Sequence, residues 1–218
     1  MNDPFDGFDL ETRIEERAVR AGLRIGSNAI ETIVTHARAV LEHNERLHLT
    51  TVVEPGEFLE RHIGESLEGA ALLDTRVRGR LVDLGSGNGY PAIPIAAIHR
   101  RLEVVCVEAT ETKATFLSDT LAAGLGQGTV WKKQVQRPGD FEDTTPIRVL
   151  TSRAMGNWER IFPRIARLLA TDGVALLWAG QAVKEIACRE SWQRLDLVAR
   201  HPIPQRANSW IWCFRRGR

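Results

Sequence analysis

Gly85, Gly87 and Gly89 alternate through the run L-V-D-L-G-S-G-N-G-Y-P at residues 81–91, directly after an apolar strand signal and just before a helix signal. Three residues without Cβ allow a tight turn and let a ligand approach bare backbone. About 20 residues further on, Glu108 closes a second apolar run, where a carboxylate can accept hydrogen bonds from ribose hydroxyls. A glycine triplet alone would indicate only a turn. Strand, glycines, helix and acidic strand end together point to a nucleoside-type cofactor. Dinucleotide sites space their glycines G-x-G-x-x-G and set pyrophosphate on the helix N-terminus, whereas this run reads G-x-G-x-G and is preceded by Asp83. That carboxylate would repel a pyrophosphate and suit a ligand bearing an amino group, such as the methionine part of S-adenosylmethionine. Taken alone, Asp83 reads equally well as a hydrogen-bonded strand end. Spacing by itself leaves the cofactor open.

These residues need a scaffold, and the hydrophobic pattern supplies one. Strand signals fall at 81–84, 104–107, 129–135, 147–150, 174–178 and 210–214, with helical stretches after most of them. Strand and helix in alternation predict an α/β fold with a mostly parallel, right-handed wound sheet. Before it, an acidic start with Asp3, Asp6, Asp9 and Glu11 reads as a mobile leader into a helix that stops near Gly22. From Ser27, an expected N-cap, Ile30, Ile33, Val34, Ala37, Val40 and Leu41 mark one helix face, and a second stripe follows Pro55. Residues 1–75 are therefore expected to form an N-terminal helical region packed on a Rossmann-like domain at 76–218, with the boundary at 75–80.

Composition narrows the function classes. With 29 Lys and Arg against 28 Asp and Glu, the net charge of +1 draws the chain to neither nucleic acid nor anionic membrane, so any such partner needs a local patch. Cys106, Cys188 and Cys213 have no C-x-x-C spacing, which suggests neither disulfides nor a metal site and fits a reducing cytoplasm. No signal segment or membrane-length apolar run is read, so the expectation is a soluble, unexported protein. Local basic patches are offered by Arg76, Arg78 and Arg80, which would share a side of an extended segment. Further candidates are Lys132, Lys133 and Arg137, and the chain end with Arg215, Arg216 and Arg218. Trp210 and Trp212 share one side of the last strand, where core packing is expected, and Cys106 within its strand reads as a packed thiol.

The sequence resembles the RsmG/GidB methyltransferases at several places in family order. Residues 82–91 followed by Ile93-Pro94 are similar to the family's glycine motif, and His43-Asn44 with Leu49-Thr50 is similar to W-N-x-x-x-N-L-T. Arg61-His62-Ile63-Gly64-Glu65-Ser66 resembles R-H-I-x-D-S, Lys113 with Phe116-Leu117 resembles K-R-x-x-F-L, Ser152-Arg153-Ala154 matches S-R-A, and Gly180-Gln181 ends an L-K-G-Q-like stretch. The resemblance implies a Rossmann-like class I S-adenosylmethionine-dependent fold and methyl transfer to N7 of a guanine in 16S ribosomal RNA. The implied partner is the 30S subunit or its precursor, met in the cytoplasm by a monomer without metal. By the same resemblance Asp83, Gly85, Gly87, Gly89, Tyr90, Glu108 and Arg153 hold the cofactor, with Pro138 and Gly139 at its adenine. Arg61, Lys113 and Arg137 face RNA. His62 alone reads as a packing residue, but its R-H-I context makes it, with Arg153, a candidate catalytic residue.

Departures concentrate away from the glycine run. Ala179 stands where the family has lysine, His48 replaces asparagine, Glu65 aspartate, Ala109 serine and Gly139 glutamate. Ser209-Trp210 falls near an expected arginine, for which Arg206 is a candidate substitute. They leave room for a different RNA or small-molecule substrate, or for a cofactor-binding ribosome-assembly protein without turnover. The chemistry of the first reading asks little of side chains, because N7 of guanine carries an unprotonated lone pair and positioning should dominate.

Overall fold

In the computed structural model, residues 3–126, 128–141 and 145–217 are described. The seven strands β1 (Gly79–Leu84), β2 (Leu102–Glu108), β3 (Thr129–Lys132), β4 (Ile147–Arg153), β5 (Leu169–Gly180), β6 (Leu195–Pro202) and β7 (Ser209–Arg216) form one sheet in the order β3-β2-β1-β4-β5-β7-β6. The first five pair in parallel, and β7 runs antiparallel between β5 and β6. β1 has β2 on one side and β4 on the other, so the winding reverses there and opens a crevice at the carboxyl ends of the strands.

Both sheet faces are covered, which explains the continuous apolar runs read as strands. Successive residues point to opposite faces. Leu81, Val104, Cys106, Val149, Leu176 and Ile211 pack with the stripes of α1 (Leu10–Arg20) and α2 (Ser27–Leu47) and with α5 (Ala92–Ile98). Val82, Leu84, Val107, Leu150, Leu177 and Trp212 pack with α7 (Trp158–Ile165) and α8 (Val183–Ile186). Cys106 is buried, and desolvation raises its thiol pKa, as a packed side chain requires.

Several expectations are corrected. The acidic leader is folded: Phe5 is buried edge-on to Phe58, and Asp3 pairs with Arg38. Ser27 is the first residue of α2, and Gly26 holds the N-cap position without a side-chain hydrogen bond. The stripe after Pro55 is three segments, α3 (Pro55–Phe58), a wide π turn at Leu59–Gly64 and α4 (Glu65–Ala71). The strand at 129 ends at Lys132, while β4 and β5 run longer than their apolar cores. β6 was not anticipated, because an edge strand buries little and L-D-L-V-A-R-H-P is mostly exposed. Arg80 does not share a surface with its neighbours: it is 4% exposed, its Nη1 donates to the Thr145 carbonyl, and its guanidinium lies over the Trp131 ring. Arg218 lies outside the described residues. Among the described residues no helix is long and apolar enough to cross a membrane, and no group of three metal-ligating side chains occurs.

Candidate functional site

A cleft of about 760 Å³ lies over the crevice beside β1, a size suited to a cofactor plus part of a substrate. One wall is the strand ends and the loop that carries the glycines. The other is built by helical Arg61, His62 and Glu65, with Thr50 from the loop before them.

The glycine loop is bound to the sheet by its own backbone. Gly85 and Ser86 both donate to the Val107 carbonyl at 2.9 and 3.1 Å, and Gly89 donates to the Ser86 carbonyl at 2.7 Å. All three glycines have positive φ, but they serve different ends. A Cβ on Gly85 would lie 3.0 Å from Cγ of Met155, and one on Gly89 would lie 2.7 Å from Cδ1 of Ile93 and 2.9 Å from Cε1 of His36. Only Gly87 (φ +53) faces open space, its nearest neighbour being the Gly85 carbonyl at 3.8 Å. Of the three bare positions, Gly85 and Gly87 line the cleft, and only at Gly87 would a Cβ point into open space; at Gly85 and Gly89 it would meet protein. Beside it, Glu108 accepts from Gly87 N–H at 2.9 Å and from Thr110 N–H at 2.7 Å, one bond on each oxygen. A carboxylate so placed is pinned in orientation and keeps lone pairs for hydroxyls in the cleft.

Asp83 is not on the cleft wall. It is 1% exposed, Oδ1 accepts from the Thr151 hydroxyl at 2.6 Å, and Oδ2 is buried without a partner among the described residues. Desolvation pushes its pKa up to about 6, against the hydrogen bonds from Thr151 and Ser86. A carboxyl whose folded pKa exceeds its unfolded value of 3.8 binds a proton more readily when folded, so it makes the fold less stable as pH rises from about 4 to about 6. Asp83→Asn is expected to flatten that part of the stability profile. Urea unfolding of both proteins at pH 4, 5, 6 and 7 checks this, and parallel profiles would refute it.

Arg153, at the end of β4, crosses the cleft to the helical wall. Nη1 donates to the Arg61 carbonyl at 2.8 Å and lies 3.5 Å from Oε2 of Glu65, Nη2 donates to Nδ1 of His62 at 2.9 Å, and the guanidinium lies over Tyr90. An arginine can only donate, so His62 Nδ1 accepts and its proton sits on Nε2, which donates to Oγ1 of Thr50 at 2.7 Å. Burial and the neighbouring Arg153 charge push the His62 pKa down to about 2. Stacked on Tyr90 with both nitrogens engaged, this imidazole is neutral and held in place, the arrangement of a positioning residue. Burial raises the Tyr90 phenol pKa as well. Glu65 is 5% exposed; desolvation raises its pKa, against the charges of Arg153, Arg206 and Arg61.

Of the candidates, the cleft brings together Arg61, His62, Gly85, Gly87, Tyr90, Glu108, Lys113 and Arg153, and Arg206 joins them. Gly89 and Asp83 support the loop from behind. Arg137, Pro138 and Gly139 lie outside the cleft lining, in and before a short 3-10 turn where Arg137 pairs with Asp140 at 3.1 Å. Lys132 is likewise paired, with Glu111. Sequence reasoning missed Thr151, which holds Asp83, and Met155, which covers Gly85. Left-handed residues on either side of Met155, Ala154 (φ 56) and Asn157 (φ 57), fold that turn back, and no local sequence signal marks it. Four cationic side chains, Arg61, Lys113, Arg153 and Arg206, against the carboxylates Glu65 and Glu108 line the cleft. A chain of net charge +1 therefore concentrates positive charge at one place.

Residues 29–205 match the family model described as rRNA small subunit methyltransferase G, GidB. The chain is 32% identical over 180 residues to ribosomal RNA small subunit methyltransferase G of Sorangium cellulosum, covering 81% of this chain and 75% of that protein. The protein of the same name from Anaeromyxobacter sp. is 34% identical over 165 residues, covering 75% of each chain. Among solved structures, the Methanococcus jannaschii fibrillarin pre-rRNA processing protein superposes with a TM-score of 0.58 at 14% identity, covering 67% of this chain and 70% of that one. TrmK of M. capricolum, solved with S-adenosyl-homocysteine, gives 0.55 at 11% identity, covering 70% and 67%. At such identities these two share the fold.

Proposed function

The chain belongs to the rRNA small subunit methyltransferase G (GidB) family, and from that membership we propose that it methylates N7 of a guanine in 16S ribosomal RNA within the small subunit or its precursor, in the cytoplasm. It is a methyltransferase that uses S-adenosylmethionine and acts on ribosomal RNA. The observation that carries the finer reading is one cleft holding both the open Gly87 backbone beside the Glu108 carboxylate and four cationic side chains.

The residues present suit that cofactor. Gly87 leaves space that any side chain would fill, and Glu108 keeps lone pairs that could accept from ribose hydroxyls. Tyr90, buried beneath His62 and Arg153, holds that pair in place beside them. When bound, S-adenosylmethionine supplies an electrophilic methyl group on a sulfonium sulfur. The protein's part is to hold the acceptor in line with it, which can lower the barrier by about 7–11 kcal/mol. N7 of guanine arrives with a free lone pair, so no side chain has to remove a proton. A neutral His62 with both nitrogens committed fits such a site, because it fixes the arginine beside the reacting atoms.

Calorimetry should show binding of S-adenosylmethionine and none of NAD. Tritiated methyl groups should then pass to small subunits lacking the modification, and the labelled nucleoside should be 7-methylguanosine. Cofactor binding without incorporation would overturn the ribosomal reading.

A further inference from the structure

Arg206 stands in the turn between β6 and β7. Ile203 N–H donates to the Ser209 carbonyl at 3.0 Å, Arg206 N–H donates to the Ile203 carbonyl at 3.2 Å, and Gln205 and Asn208 are left-handed with φ of 60 and 58. Ile203 is buried and anchors the turn to the core. From this fixed base Arg206 reaches across to the helical wall, where Nη1 donates to Oε1 of Glu65 at 3.0 Å. The other oxygen of the same carboxylate serves Arg153. Two guanidinium groups therefore share one buried acid, and the Asp83 carboxylate also acts on Arg153. Arg206 is the more outward of the two: its side chain is 38% exposed, against 14% for Arg153.

Position separates this arginine from the cofactor's end of the cleft. Arg61 and Arg206 are the two side chains common to the cleft and to a neighbouring surface groove, so they form the ridge between them. A small cofactor held at Gly87 and Glu108 does not need that ridge; a polymer whose one base enters the cleft must cross it. Both arginines are ion-paired, but Arg61 has Glu57 at 2.9 Å while Arg206 shares Glu65 with Arg153, and the groove beyond is lined by Glu57 and Glu60, which repel phosphate. Attraction is left at the rim, where Arg206 stands.

We propose that Arg206 grips the RNA phosphate next to the methylated base, with Glu65 as the positioning residue that sets Arg206 beside Arg153. This assignment rests on the ribosomal RNA reading above. A phosphate contact at a rim adds to binding wherever the backbone passes and is screened by salt.

Arg206→Ala is expected to raise KM for unmodified small subunits about tenfold, with kcat within about twofold and S-adenosylmethionine affinity unchanged. The slope of log KM against log salt should become shallower by about one. Arg206→Lys should restore that slope and Arg206→Gln should not, a distinction that a purely structural role of the turn would not produce. If the native protein binds cofactor yet transfers no methyl group, the ribosomal reading itself fails. If it transfers normally while Arg206→Ala keeps the native KM and salt slope, only the Arg206 assignment fails. Weakened cofactor affinity in Arg206→Ala would also overturn it, by moving the residue to the cofactor's side.

Discussion

Arg153→Ala is expected to lower methyl transfer at least tenfold, which is about 1.4 kcal/mol of transition-state stabilisation. The same change should destabilise the fold by about 3 kcal/mol, since deleting one partner of a buried ion pair leaves the other charge uncompensated. Both effects come from its contacts. Arg153 satisfies the Arg61 carbonyl, takes Nδ1 of His62 and faces Oε2 of Glu65. Without it, a buried carboxylate is left with Arg206 as its ion-pair partner, and the His62 ring loses the donor that fixes its tautomer. Lysine should not rescue, because a point charge on a flexible stem cannot serve a carbonyl and an imidazole at once in a planar fork. Single-turnover rates at saturating cofactor, alongside urea unfolding, separate the two losses. An unchanged rate would remove Arg153 from the site.

A pair of glycine substitutions should show the opposite division of effects. Gly89→Ala places a Cβ 2.7 Å from Ile93 and 2.9 Å from His36 while forcing a left-handed residue. Overpacking costs about 1–3 kcal/mol and the left-handed backbone about 1–2 kcal/mol, so a loss near 3 kcal/mol is expected. Gly87→Ala meets no protein atom closer than 3.8 Å, so only the backbone cost applies, about 1–2 kcal/mol. Its methyl group would occupy the open face beside Glu108, and S-adenosylmethionine affinity should fall about tenfold or more, a change of about 1.4 kcal/mol. Calorimetry at a temperature where both variants remain folded reads this directly. Native affinity in Gly87→Ala would mean that no ligand lies against that backbone.

What was legible in the residues is what depends on short-range pattern. Apolar runs marked six of the strands, most clearly the central ones, because strands buried on both faces are mostly apolar. The glycine run and Glu108 were legible because a tight turn and a strand-end acid leave their mark within a few residues of one another. The edge strand β6 left no such mark, since its side chains face water as often as core.

The sequence by itself determined that the sheet is mostly parallel, where the glycine loop falls, and the family of motifs that runs through residues 44–181. Only the tertiary structure decided what each charge does. Arg80, Arg153 and Arg206 are the same residue type, and each is a candidate for a charged contact in the sequence. Yet the first is buried over Trp131, the second spans the cleft, and the third stands at its rim. Which of these fates an arginine meets depends on partners 51 to 141 residues away along the chain, such as Trp131 for Arg80 and Glu65 for Arg206. An ion pair or a ring contact is a property of distance in space, and the order of residues along a chain does not contain that distance until the sheet has closed.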